Sequence, residues 1–297
     1  MTTAFCPAHI TGFFKAELNK EDSKELGSLG AGFSIQKGVK TTVTIRNKTK
    51  HDISNFTIKV NGFESGDMRV SEVVLSKFPT KEKFVDVIHE IDVPVGYGFG
   101  SSAAVALSLA IALNDALECK LSKIKVAQIA HDVEIECKTG LGDVLASYHG
   151  GFEIRDKPGA PGIGHVQKIT LNKISIIMIC FSPISTTKFI KERLPQINGL
   201  GGKMVNRLLE SKNYEHFQEM SLEFAKYVDV MTPRMQKVVN ELSKNNIKCG
   251  IALFGETIFS MIPKENENKV LEILEKYSDG IIVKSELDDA GARVLYN

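Results

Sequence analysis

The sequence predicts an α+β protein of two domains, and three observations carry that expectation. The chain has 297 residues, about twice the commonest domain size of roughly 100–150. Strand signals dominate the first 95 residues. From residue 166 onward the order reads β-α-β-β-α-β with extra helical sequence in the first crossover, the pattern of a ferredoxin-like unit. The expected division is therefore 1–165 and 166–297.

Each element has a local reason. Residues 40–46 and 56–60 alternate β-branched and polar side chains and are bounded by Asn and Gly, which predicts strands. Residues 101–117 are apolar nearly all round, as expected of a buried helix. A second helix spans 122–137, with Val126, Ile129, Ala130, Val133 and Cys137 as its apolar stripe and Thr139-Gly140 as its stop. Residues 157–164 are the densest Pro/Gly stretch and predict a surface excursion near the boundary. A strand follows at 174–181, then helical patterning to about residue 246. Strands are expected at 249–254 and 257–262, a helix at 265–277, and short strands at 281–284 and 292–296.

Composition excludes several classes. Lys plus Arg number 37 against 36 Asp plus Glu, so the basic excess of a nucleic-acid binder is missing. The longest apolar runs, 103–113 and 174–181, fall short of the ~20 residues that cross a bilayer. The first residues carry no basic stretch ahead of an apolar one, so no signal peptide is expected. Five cysteines without C-x-x-C spacing form neither a disulfide framework nor a zinc site, which points to a reducing cytoplasm and to cysteines used as small buried apolar groups.

The most informative stretch is Pro94-Val95-Gly96-Tyr97-Gly98-Phe99-Gly100-Ser101-Ser102-Ala103-Ala104. Alternate glycines let the backbone approach a ligand closely, and the helix that follows presents unpaired N–H groups and a partial positive charge. A polyphosphate suits that geometry. The string is neither a G-x-x-x-x-G-K-[ST] P-loop nor a G-x-G-x-x-G dinucleotide loop. A glycine turn into a capped core helix is the structural alternative.

As a whole, P-x-G-x-G-x-G-S-S-A resembles the phosphate loop of the GHMP kinases, the family of galactokinase, homoserine kinase and mevalonate kinase. Two further segments agree in order and distance. Cys6-Pro7-Ala8-His9-Ile10-Thr11-Gly12-Phe13-Phe14 looks like the family's first motif, and Thr139-Gly140-Leu141-Gly142-Asp143 with Gly150-Gly151-Phe152 looks like its Asp-bearing segment. Its third, glycine-rich motif is matched only by the glycine-poor Lys248-Cys249-Gly250-Ile251-Ala252-Leu253-Phe254-Gly255. The combination of His9-Ile10-Thr11-Gly12-Phe13-Phe14, Gly27-Ser28-Leu29-Gly30-Ala31-Gly32-Phe33-Ser34 and Gly140-Leu141-Gly142-Asp143-Val144 with the degenerate third motif is most similar to the archaeal pantoate kinases. The resemblance implies an N-terminal domain like ribosomal protein S5, a C-terminal ferredoxin-like domain, ATP and Mg²⁺ as cofactors, pantoate as substrate and a homodimer. Competing expectations are a kinase for mevalonate or homoserine, and an inactive ATP-binding relative.

The resemblance also implies roles. Pro94, Gly96, Gly98, Gly100, Ser101, Ser102 and Ala103 would bind the nucleotide, and Ser102 and Glu134 the metal. Glu136 is the rival to Glu134, read as a solvated charge. Asp143 matches the catalytic Asp, with a helix N-cap as its structural alternative. His9 stands where many members carry Lys, and His9, Thr11, Gly12 and Arg155 are the substrate-binding candidates. Arg155 would anchor a carboxylate, or else sit on the surface at a strand end. Phe13, Phe14 and Phe33 would form an apolar wall, or else core.

Overall fold

The computed structural model describes residues 1–63, 67–184 and 186–296. In chain order its first part holds β1 (Thr2–Glu17), β2 (Gly27–Asn47), β3 (Phe56–Gly62), α1 (Arg69–Ser76), β4 (Lys83–Ile91), α2 (Ser101–Ala116), α3 (Lys123–Cys137), α4 (Asp143–His149), β5 (Phe152–Lys157) and β6 (His165–Ile169). Its second part holds β7 (Ile174–Pro183), α5 (Thr186–Ser211), α6 (Tyr214–Tyr227), α7 (Pro233–Lys244), β8 (Gly250–Ala252), β9 (Gly255–Pro263), α8 (Glu267–Leu274), β10 (Ile281–Glu286) and β11 (Arg293–Leu295).

Two sheets result. The larger runs β11-β1-β2-β4-β3, with β5 pairing the first half of β2 and β6 pairing β5. The smaller runs β10-β7-β9-β8, the strand order of a ferredoxin-like unit, with three helices in its first crossover. The expected strand at 292–296 forms, but it joins the larger sheet: Thr3 faces Leu295 and Phe5 faces Arg293 across an antiparallel pair.

Local chemistry explains the elements. α2 is buried at Ala103, Ala104 and Ala106 through Leu113 because it lies against β1 and β2 and is covered by α1 and α3. That environment accounts for its all-round apolarity. The Ser122 hydroxyl caps α3 by accepting from Lys125 N, and Thr232 caps α7 ahead of Pro233. Residues 27–34, read as a motif and not as a strand, form the start of β2. Glycine weakens a strand in general, but here its missing side chains leave space that larger groups fill.

The two sheets share one core. Phe13, Phe33 and Phe152, from β1, β2 and β5, meet Phe217 of α6 and Phe259 of β9, with ring centroids 5.0–6.2 Å apart. Phe13 and Phe33 are thus core and not a substrate wall. A Cβ on Gly12 would stand 2.6 Å from the Phe217 ring, so Gly12 admits the α6 face and is not brought to the site. Hydrogen bonds from the second part tie down the first: Leu253 N to Thr11 O (2.9 Å), Ile184 N to Gly96 O (3.1 Å) and Thr257 Oγ1 to Tyr97 O (2.8 Å).

Candidate active site

The glycine loop lies between β4 and α2. Gly96, Gly98 and Gly100 all take positive φ, at 85°, 87° and 57°, a region that residues with a Cβ enter at a cost. A Cβ on Gly98 would also stand 2.7 Å from the Leu253 carbonyl oxygen. Gly100 is the N-cap of α2 and offers no side chain to it. The first intrahelical bond is Ala104 N to Gly100 O, 3.1 Å. The N–H groups of Ser101, Ser102 and Ala103 precede it and remain for a ligand.

Ser101 and Ser102 open on a cavity of about 310 Å³. Val70, Ile91, Val95, Val105 and Ile184 supply apolar wall, and Thr11, Ser102, Thr139 and Asp143 supply polar wall. Pro94 and Ala103 are buried and do not line it. Beside it lies a narrow recess of about 20 Å³, bounded by Thr11, Phe14, Ser28, Leu141, Asp143, Ile190 and Phe254. Phe14, one of the three candidate wall aromatics, does reach this recess.

Asp143 stands at the meeting of cavity and recess, with its side chain 21% exposed. It is the first residue of α4, and the N-cap, Gly142, makes no side-chain cap bond. The capping alternative therefore fails: Asp143 Oδ1 is 2.8 Å from His9 Nδ1. Burial works against the Asp143 charge, but the hydrogen bond and charge of His9, with Arg155 and Thr11 behind, hold it below the usual carboxylate range.

The two candidate metal carboxylates separate cleanly. Glu136 is exposed and pairs with Lys77 at 2.7 Å. Glu134 is 2% exposed on the buried face of α3. Its Oε1 accepts from Thr139 Oγ1, and its Oε2 is buried with no partner. Burial pushes Glu134 up to about 7; the Thr139 and Ser102 hydroxyls oppose that, and the Asp143 charge adds to it. A Cβ on Gly140 would lie 2.1 Å from Glu134 Oε2 and 3.2 Å from Asp143 Oδ2, so glycine keeps the space between the two carboxylates open. Among the described residues no cluster of three His, Cys, Asp or Glu forms a self-sufficient metal cage. A magnesium ion fits the donors present, since it takes one or two protein oxygens and leaves the rest to phosphate and water.

Arg155 is neither on the surface nor free. It is 1% exposed and bonds Glu153 Oε1 at 2.5 Å, while its Nε is buried without a partner. Glu153 is the site residue that sequence reasoning missed. Its signal is present: Glu153 and Arg155 are opposite charges two apart on a strand whose alternate residues, Phe152 and Ile154, are core. His9 is wholly buried. The register of β1, β2 and β5 places His9, Thr11, Glu153 and Arg155 over Gly32 and Gly30. A Cβ on Gly32 would stand 2.5 Å from His9 Nε2, and one on Gly30 2.7 Å from Arg155 Nη2.

Known proteins resemble this chain in sequence and fold. Residues 68–151 match the GHMP kinases N terminal domain. A pantoate kinase from Methanocaldococcus jannaschii is 34% identical, covering 91% of this chain and 96% of its own. A pantoate kinase from Thermococcus kodakarensis is 30% identical, covering 91% of each. A solved phosphotransferase related to the CoA biosynthesis pathway superposes with a TM-score of 0.88 at 28% identity, over 98% of this chain and 97% of its own. The chain therefore belongs to the GHMP kinases, with their two-part α+β fold. Within that family its relatives at this level of identity are pantoate kinases. Among the described residues no helix is long and apolar enough to cross a membrane.

Proposed function

We propose that this protein transfers the γ-phosphoryl group of ATP to the 4-hydroxyl of pantoate, giving 4-phosphopantoate on the way to coenzyme A. The observation that carries the kinase reading is the loop: three alternate glycines in left-handed conformations aim the start of a buried helix at a cavity that Asp143, packed beside Gly100, also lines. The pantoate kinases among its relatives carry the choice of substrate.

In this reading the triphosphate rests on the N–H groups of Ser101, Ser102 and Ala103, and the base lies along Val70, Ile91, Val95 and Val105. Ser102 and Glu134 would hold the magnesium ion, which supplies neutralising charge for the phosphates when bound. The substrate occupies the recess, with its geminal methyls against Phe14, Leu141, Ile190 and Phe254. Its carboxylate faces Ser28 and the unpartnered Arg155 Nε, which a Cβ on Gly142 would approach to 2.4 and 2.9 Å. The recess has room for about one water, so admitting the substrate requires Ile190 or Phe254 to move.

The 4-hydroxyl oxygen attacks the γ-phosphorus as the bond to the β,γ-bridging oxygen breaks and ADP leaves. The hydroxyl proton passes to Asp143 Oδ2. Asp143 is held ionised, so it accepts that proton late, as a loose phosphoryl transition state allows. The reading places the nucleotide in residues 1–165 and keeps 166–297 as the unit that braces the loop.

A coupled assay with ATP, Mg²⁺ and a panel of hydroxy acids tests this. Turnover that requires a divalent cation, with the highest kcat/KM for pantoate, is expected. Faster turnover per KM with mevalonate or homoserine would overturn the substrate and leave the kinase.

A further inference from the structure

We infer that Glu153 and His9 form a positioning pair, in which Glu153 keeps His9 doubly protonated and His9 in turn fixes Asp143 as an oriented, charged proton acceptor. The inference rests on the assignment of Asp143 as proton acceptor and extends it two residues inward.

The geometry carries it. His9 has no exposed surface, and each ring nitrogen faces a carboxylate oxygen at 2.8 Å: Nδ1 on Asp143 Oδ1, Nε2 on Glu153 Oε1. An ionised carboxylate only accepts hydrogen bonds, so both nitrogens must donate, and only the imidazolium has two protons to give. The other groups around the ring are Arg155 Nη1 at 3.4 Å from Nε2, the Thr11 hydroxyl at 3.4 Å from Nδ1, and the bare backbone of Gly32. Glu153 Oε1 accepts from Arg155 Nη1 as well, so one oxygen faces both cations.

Charge balance agrees. Two carboxylates, one guanidinium and one imidazolium sum to zero, the arrangement in which a buried cluster costs least. With a neutral ring the cluster would carry an uncompensated negative charge, and one ring nitrogen would turn its lone pair on a carboxylate oxygen 2.8 Å away. Burial would strip the second proton, yet the hydrogen bonds to Asp143 and Glu153 set His9 above the usual imidazole value. His9 lines neither the cavity nor the recess, while Asp143 and Thr11 line both. Its effect is exerted through Asp143, whose Oδ1 it occupies so that Oδ2 is left toward Gly140 and the reacting centre.

Two measurements test the pair. In wild-type protein labelled with ¹⁵N-histidine, one of the seven imidazoles should retain both ring protons at about pH 8, above the ordinary histidine value of about 6.5. In Glu153→Gln that signal should shift to a neutral ring. Glu153→Gln should also lower kcat of the order of 10–100-fold, as small misplacements at a reacting centre do, with KM for ATP within about twofold. The reading is overturned if every wild-type imidazole is neutral at pH 8, or if folded Glu153→Gln turns over within about twofold of wild type. The NMR result on wild type stands even if the variant does not fold. It also stands if no hydroxy acid is phosphorylated, an outcome that would sink the kinase assignment and not the pair.

Discussion

Replacing Asp143 by Asn is expected to lower kcat by roughly 10²–10⁴, the span for a positioned acid–base group, with KM for ATP little changed. An amide cannot take the hydroxyl proton, while the nucleotide is held elsewhere, so steady-state kinetics should show a loss confined to the transition state. A kcat within about threefold of wild type would move the proton acceptor to another group. Glu134 makes the opposite kind of prediction, about stability. Its carboxyl is pushed from 4.5 to about 7 by burial, so between those values the folded state holds a proton that the unfolded state releases. Stability from this group is therefore intact below about pH 4.5 and is lost as pH rises toward 7, by up to about 3 kcal/mol. Glu134→Gln keeps the Thr139 bond and removes the charge. Urea denaturation at pH 8 without metal should show the variant more stable by about 1–3 kcal/mol, and the gap should close near pH 5. Magnesium with nucleotide should then stabilise wild type and not the variant. Equal stability at pH 8 would mean that the Glu134 charge is already compensated.

The loop behaves as an element, and its two ends should answer differently to substitution. Gly98 takes φ of 87° and lies against the Leu253 carbonyl, so Gly98→Ala is expected to cost about 1–3 kcal/mol of backbone strain as well as nucleotide affinity. Fold and site cannot be separated there. Ser102→Ala meets no such demand: the melting temperature should hold while nucleotide–magnesium affinity, read by calorimetry, falls. A melting temperature that falls as far for Ser102→Ala as for Gly98→Ala would contradict this division. The same contrast explains what was legible in the sequence. The loop, α2 and α3 were readable because their signals are local: glycine spacing, an all-round apolar run, an apolar stripe closed by Thr139-Gly140. The left-handed Phe254, φ 69°, was not, because its strain stands where the family's third motif would have glycine and is held by rings of Phe14 and Phe189 at 5.5 and 5.3 Å. Glu153 was passed over, and the burial of Arg155 and His9 went unread, for a related reason. Their pairing is set by the register of three strands, and register is fixed by the whole sheet and not by neighbours in sequence.

At the scale of the molecule, the aromatic seam predicts one cooperative transition. Phe217 touches rings from β1, β2, β5 and β9 and is fully buried. Phe217→Ala should cost about 3–5 kcal/mol, and both sheets should melt together in denaturant, because neither retains a closed core alone. Two separated transitions would show instead that the parts are independently stable. The pairing of β11 with β1 has a further consequence, for the order of assembly. Thr3 and Leu295 are separated by nearly the whole sequence, and contacts between such distant positions are the slowest to form. Until they do, one edge of the strand that carries His9 and Thr11 is bare, and a bare strand edge is a template for pairing with another copy. The vulnerable interval in the life of this enzyme is thus its folding, and a nascent chain lacking only β11 would already hold its glycine loop while still being prone to self-association.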